Sequence, residues 1–385
     1  MNKTENKKFF YCALCETQIT ESNASEDHII PNSIGGRRKA KNFICRNCDN
    51  RCGHRWDSAL AKQLNPLSLL LKINRHRGDV PSQVFETTKG EKITFHYDGH
   101  MTLSKPDFKL EQIGDRMELR INARTPKEIR EMATGLKRKY PNLDIEGLMR
   151  IAEYKSPSLE DPLKMCISFG VSDAGRSVVK PALALAVKNG IDPKFCQNSL
   201  RYLKDDRAEK CFGFYYERDL FLERPQSKVF HCVAISGNAQ TGCLLGYVEY
   251  FGVQRIVVCL SDSYSGPDVH EIYAIDPIAA EELDLQVDIS LTKEDLAAVY
   301  QNKIIPSREV EQAVSNILVL AHRNDREAEN NRVFKQAVDD AAKECGIDEE
   351  EELTEAQVEK FSALTMKNLM PFLTKKIYLG KSKNP

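Results

Sequence analysis

Two cysteine pairs constrain this chain more than any other feature of it. Cys12 and Cys15 form one C-x-x-C pair and Cys45 and Cys48 a second, with twenty-nine residues between the pairs. A two-residue spacer lets one tight turn present both sulfurs to a single ion, and zinc prefers a tetrahedron of such ligands. The pattern predicts a structural Zn2+ that staples the first fifty residues into one small unit. Cys52 and His54 are alternative ligands, but using either would break the pairing. The other cysteines (Cys166, Cys196, Cys211, Cys232, Cys243, Cys259 and Cys345) are scattered singly, mostly in apolar surroundings. They read as small buried hydrophobes rather than as a disulfide framework.

Between the pairs, Asp27-His28-Ile29-Ile30 reads as a strand stopped by Pro31. Gly35-Gly36 marks a turn, and Arg37 to Lys41 forms a basic loop. Phe43-Ile44-Cys45 reads as a second strand. From Asp49 to Leu64 the pattern is helical, with Trp56, Leu60 and Leu64 spaced by four on one apolar stripe. The order is strand, loop, strand, helix. A pure zinc scaffold needs neither Asp27 nor His28, so the pair calls for a second explanation.

The matched positions are Glu26-Asp27-His28-Ile29-Ile30-Pro31, Gly35-Gly36, Asn42, and Cys45-x-x-Cys48-Asp49-Asn50-Arg51 with Gly53 and Asp57. In these residues the chain resembles the HNH endonuclease superfamily, in its subgroup with a zinc-bound cysteine quartet. The resemblance covers about residues 10–64 and implies a ββα-metal finger that hydrolyses DNA. It implies that neutral His28 is the general base and Asp27 a ligand of a catalytic Mg2+ or Mn2+. The second ligand falls at Asn50 or at Asp49, with Asn50 favoured; the third letter of the usual signature is not histidine here. Asn42 either buttresses the loop near His28 or is a simple turn residue. Arg37, Arg38, Lys39, Lys41, Arg51 and Arg55 are candidates for phosphate contact, which positions a duplex without reading its sequence. Asp57 reads as a helix-surface carboxylate or an outer partner of the site.

Charge agrees with a polyanionic partner. Residues 1–78 hold fourteen Lys and Arg against seven Asp and Glu, a net +7. Residues 327–360 reverse this, with twelve acidic against four basic side chains. No run approaches the roughly 18–20 apolar residues of a membrane span, and the polar start predicts no export signal, so the expected location is the cytoplasm.

Past the finger, residues 65–80 read as a linker and 83–122 as a small antiparallel sheet. Thr125-Pro126 opens a helix, and a second short helix is expected at 144–154. Residues 160–290 read as mixed α/β, with a helix from Pro181 to Asn189 and strands at 229–235, 246–250 and 255–260. From about 293 the chain reads as charged helix. The expectation is an α+β protein in three parts: an HNH domain at 1–78, a small sheet with helices at 79–155, and a larger mixed α/β region at 156–385. Residues 83–300 also resemble the C-terminal parts of bacterial anti-phage HNH proteins, such as those associated with Zorya. That likeness implies phage DNA as substrate, protein partners from a defence system, and a C-terminal region that controls or targets cutting. A monomer would nick and a homodimer would break both strands. The alternatives are an effector switched by a nucleotide second messenger and a zinc-ribbon DNA-binding protein without catalysis.

Overall fold

Strands β1 (Phe10–Tyr11) and β2 (Gln18–Ile19) close the first cysteine turn as a two-stranded ladder. The coordinates are a computed structural model that describes residues 9–114, 116–152, 161–165, 172–226, 228–300, 307–347 and 353–381. Cys166 and the acidic run 348–352 lie outside the described residues.

β3 (Ala24–His28) pairs antiparallel with β4 (Lys39–Cys45), His28 opposite Lys39. The register slips between Ala24 and Glu26, and across the slip Asn42 takes φ 58°. Asparagine tolerates left-handed backbone better than most side chains, and the bulge bends β4 toward the helix that follows. That helix is α1 (Arg46–Cys52), continued by a π-helical turn at Gly53–Asp57 and by α2 (Ser58–Leu70). The Gly35-Gly36 turn has two separate causes. Gly35 adopts φ 96°, while a Cβ on Gly36 would lie 1.8 Å from the Ile30 carbonyl oxygen.

The expected linker at 65–80 is corrected. α2 runs through Pro66 to Leu70, because Leu64, Leu67 and Leu69 are buried and one lost backbone bond does not outweigh that burial. The loop after it is anchored by buried Ile73 and Val80.

β5 (Gln83–Thr87), β6 (Lys92–Phe95) and β7 (Met101–Leu103) form a meander, and β8 (Asp107–Ile113) and β9 (Arg116–Asn122) a separate hairpin. α3 (Pro126–Lys137) begins as its sequence predicts, the Thr125 hydroxyl accepting from the Glu128 N–H at 3.2 Å. α4 covers Ile145–Ile151, and β10 (Leu163–Lys164) returns to the edge of β5.

α5 (Asp173–Lys188) is longer than the expected 181–189, and Pro181 lies inside it rather than in its first turn. Tertiary burial explains the difference: every residue from Ala174 to Ala186 is buried. One side lies on the main sheet, so closely that a Cβ on Gly246 would lie 2.6 Å from the Ala182 Cβ. The other side faces β4, α2 and the π-helical turn of the finger. α6 (Gln197–Lys204) follows.

The main sheet has six antiparallel strands in the order β11 (Phe212–Phe214), β14 (Gln254–Ser261), β13 (Cys243–Tyr250), β12 (His231–Asn238), β15 (Val269–Asp276), β16 (Glu281–Leu283). Tyr247, Val257, Phe230, Phe221 and Leu296 belong to the core on one of its faces. Leu296 comes from α7 (Lys293–Tyr300). The long helices α8 (Ser307–Cys345) and α9 (Glu355–Lys381) follow. Residues 1–317 and 318–385 form two compact units.

Candidate active site

The zinc-type cluster forms as its spacing demands. The four sulfurs of Cys12, Cys15, Cys45 and Cys48 lie within 4.8 Å of one another, Cys15 and Cys45 at 3.6 Å. A tetrahedron with Zn–S bonds near 2.3 Å has edges of about 3.8 Å, so the donor set fits zinc. Burial raises the Cys12 and Cys48 thiols, and neighbouring sulfurs add to it. Four thiolates therefore need a cation among them. Arg51, expected on phosphate, directs its guanidinium at the Cys48 sulfur at 3.6 Å.

Asp27 and His28 end β3, and alternation along the strand sends their side chains to opposite faces. Asp27 points inward and is 7% exposed. Its Oδ2 accepts from the Lys180 ammonium at 2.8 Å, and Lys180 also donates to Asp57 Oδ2 at 2.8 Å. Asp57 in turn accepts from the Ser177 hydroxyl. Burial alone would lower the Lys180 ammonium, but the two carboxylates outweigh it and hold its pKa well above the usual lysine value. Burial raises the Asp27 carboxyl to about 6, with Lys180 pulling it down and Asp57 and Asp49 pushing it up.

That last influence locates Asp49: from α1 it is close enough to raise Asp27. The Ser25 hydroxyl donates to its Oδ2. Asn50, one position further round the helix, is exposed. Two carboxylates from β3 and α1, each with one oxygen already bonded, offer the hard oxygen donors that Mg2+ or Mn2+ prefers.

His28 is half-buried. Burial lowers its pKa to about 4, assisted by Lys39, His76 and Arg77. The ring is therefore neutral at pH 7, as a proton acceptor must be. His76 stands beside it, its Nδ1 3.1 Å from His28 Nε2, with the rings edge-on.

Asn42 lies three residues, roughly 10 Å, along β4 from the position opposite His28. It lines a cleft of about 530 Å3 with Phe10, Tyr11, Val187 and Leu200, and its φ is 58° beside the register slip. The basic candidates largely make internal bonds. Arg37 donates to the Asn74 side chain at 2.7 Å. Arg38 pairs with Glu282 and lies 4.4 Å from the centre of the Tyr273 ring. Lys41 and Lys39 reach Glu26 at 2.8 and 3.6 Å. Arg55 bridges Asp173 and Asp206 at 2.8 and 3.0 Å.

Two site residues escape a reading of the sequence. Lys180 looks like one cation in an apolar helix. His76 lies in what reads as linker. Asp57, read as a surface carboxylate or an outer partner of the site, bonds Lys180. Lys180 carried a usable signal, because a charge amid Val178, Val179, Ala182 and Leu183 must find a partner once that helix is buried.

A cysteine-stapled ββα finger with an Asp-His pair at the end of its first strand defines a nuclease-type metal fold. Residues 12–65 match a family model described as HNH endonuclease. The chain thus has an N-terminal HNH domain followed by a larger α/β region, and the match supports a nuclease-type function with DNA as substrate. The match covers the finger and α2 only as far as residue 65. Comparisons with curated proteins and with solved structures gave no match. No helix among the described residues is long and apolar enough to cross a membrane.

Proposed function

We propose that this protein is a divalent-metal-dependent HNH endonuclease that cuts one strand of duplex DNA per site. The observation that carries the proposal is the end of β3, where Asp27 turns inward to Lys180 and His28 follows it, with Asp49 of α1 held to the same strand by the Ser25 hydroxyl. Asp27 and Asp49 would hold Mg2+ or Mn2+. We place the helix-start ligand at Asp49 rather than at the exposed Asn50. When bound, the ion supplies charge stabilisation for the phosphate and the departing 3′ oxygen.

His28 takes one proton from the attacking water. The resulting P–O bond replaces the P–O3′ bond, and the departing 3′ oxygen takes a proton from solvent water, leaving a 5′-phosphate and a 3′-hydroxyl. Lys39 and Arg77, the cations that act on the His28 ring, would attract the scissile phosphate. Lys180 keeps Asp27 oriented and offsets part of its charge. The cysteine quartet would hold Zn2+ permanently and fix the angle between strand and helix.

Supercoiled plasmid incubated with wild type and His28→Ala, in Mg2+, Mn2+ or EDTA, tests the proposal. The expected result is nicking by wild type alone, abolished by EDTA. Equal cutting by both proteins would sink the mechanism, and binding without cutting would favour a zinc-ribbon DNA-binding role. Extension to phage defence, with control by the region after the finger, rests on the likeness of residues 83–300. Comparing the same two proteins for phage plating efficiency tests it.

A further inference from the structure

The loop between α2 and β5 is not a passive tether. Asn74 donates its backbone N–H to the Pro277 carbonyl at 2.7 Å and receives the Arg37 guanidinium on its side chain and carbonyl. Three residues on, the Asn32 side chain grips the Arg77 backbone from both sides. Its Oδ1 accepts the Arg77 N–H at 3.1 Å, and its Nδ2 donates to the Arg77 carbonyl at 3.2 Å. Asn32 lies four residues after His28. The segment that follows the candidate base therefore also clamps the loop that carries His76. Between the two clamps His76 is exposed, with its Nδ1 3.1 Å from His28 Nε2.

A hydrogen bond between two imidazoles can run in either direction. If His76 donated, the His28 Nε2 lone pair would be occupied and its proton would reside on Nδ1. No acceptor would then remain on the ring. If His28 donates Nε2–H to His76, its Nδ1 lone pair is free to take a proton. Only the second direction leaves a base. Nucleophile, base and orienting third group form the same logic as a catalytic triad, here with a neutral ring in the orienting position.

We propose that His76 is a positioning residue that accepts the His28 Nε2–H, fixes the His28 tautomer and ring angle, and shares the charge when His28 Nδ1 takes the proton from water. The inference rests on the endonuclease reading above and deepens it.

The test compares wild type, His76→Ala and His76→Asn, the last because Asn Oδ1 can accept in place of Nδ1. With saturating plasmid at fixed metal, His76→Ala should lose about 10- to 100-fold in kcat, with KM within about twofold of wild type. His76→Asn should recover most of that loss. Wild-type kcat in His76→Ala, alongside an inactive His28→Ala, would overturn the inference and leave the endonuclease reading standing. A raised KM with unchanged kcat would make His76 a DNA contact and also overturn it. Equal loss in Ala and Asn would overturn the acceptor role. Nitrogen-15 spectra of the imidazoles give a readout independent of activity. His28 should be held as the Nε2–H tautomer in wild type and become a mixture in His76→Ala. The same tautomer in both proteins would overturn the inference even if no metal supported cutting.

Discussion

Lys180 shows what a single buried charge decides. Its ammonium is fully buried, 2.8 Å from one carboxylate of β3 and 2.8 Å from another in the π-helical turn. Removing it would leave Asp27 and Asp57 facing each other without a cation, and breaking a buried pair in this way costs about 3–5 kcal/mol. Lys180→Met should therefore lower the urea midpoint by that equivalent at neutral pH with the m-value unchanged. A loss under about 1 kcal/mol would show that the carboxylates do not depend on it. No local pattern could reveal this partnership, because 153 and 123 residues of chain separate Lys180 from its two partners. Asp27 and His28 were legible because a single strand end carries both.

At the scale of elements, the cysteine knuckles and the amphipathic helices were readable, and the exceptions share one cause. The two C-x-x-C turns meet as the spacing required, since each turn is local and the ion demands both. Elemental analysis should find about one zinc per chain, and Cys45→Ser should abolish its retention. A strong chelator should melt the finger, seen as lost helical circular dichroism and lost nicking, because metal binding and folding are the same step in such units. A chelated protein with unchanged spectra would show that the apolar core alone holds the finger. The helices misread were α2 and α5, each continuing through a proline, at Pro66 and Pro181. Proline removes one backbone bond, a cost that local reading treats as a boundary. Buried Leu67 and Leu69 in α2, and the wholly buried stretch 174–186 in α5, outweigh that cost. The basic stretch 37–41 was legible as charge but not as structure, since its lysines Lys39 and Lys41 lie in β4 rather than in a loop. Arg37 and Arg38 point their backbone N–H groups at the Tyr273 hydroxyl, at 3.0 and 2.9 Å. They fasten the finger to β15.

At the scale of the whole molecule, His231 is a second fastener, and a pH-sensitive one. It lies fully buried on β12. Its Nε2–H donates to the Ile34 carbonyl at 2.7 Å, and its Nδ1 accepts the Phe251 N–H at 3.1 Å. Both ring nitrogens are used, so the side chain is tied on both sides. Burial pushes its pKa down to about 3, the Ile34 bond opposing. The unfolded chain, with an ordinary pKa near 6.5, binds the proton first. Stability is therefore intact above about pH 6.5 and is lost as pH falls toward 3, by up to about 1.4 kcal/mol per unit. His28, lowered to about 4, acts in the same direction. Urea unfolding at pH 7.5, 6 and 5 should show this slope, and His231→Gln should flatten it. An equal slope in the variant would assign the acid sensitivity elsewhere.

The sequence by itself determined the finger: the cysteine quartet, the Asp-His strand end and the helix that follows. All of these are local, within one turn or one strand, or are tied together by one ion. Only the tertiary structure decided what completes the site. α5 brings Lys180 to Asp27, the clamped loop brings His76 to His28, and the sheet receives Ile34, Arg37 and Arg38. Those partners meet across dozens to more than two hundred residues, where chain entropy is overcome only by the burial of the whole core, and no short pattern records that balance.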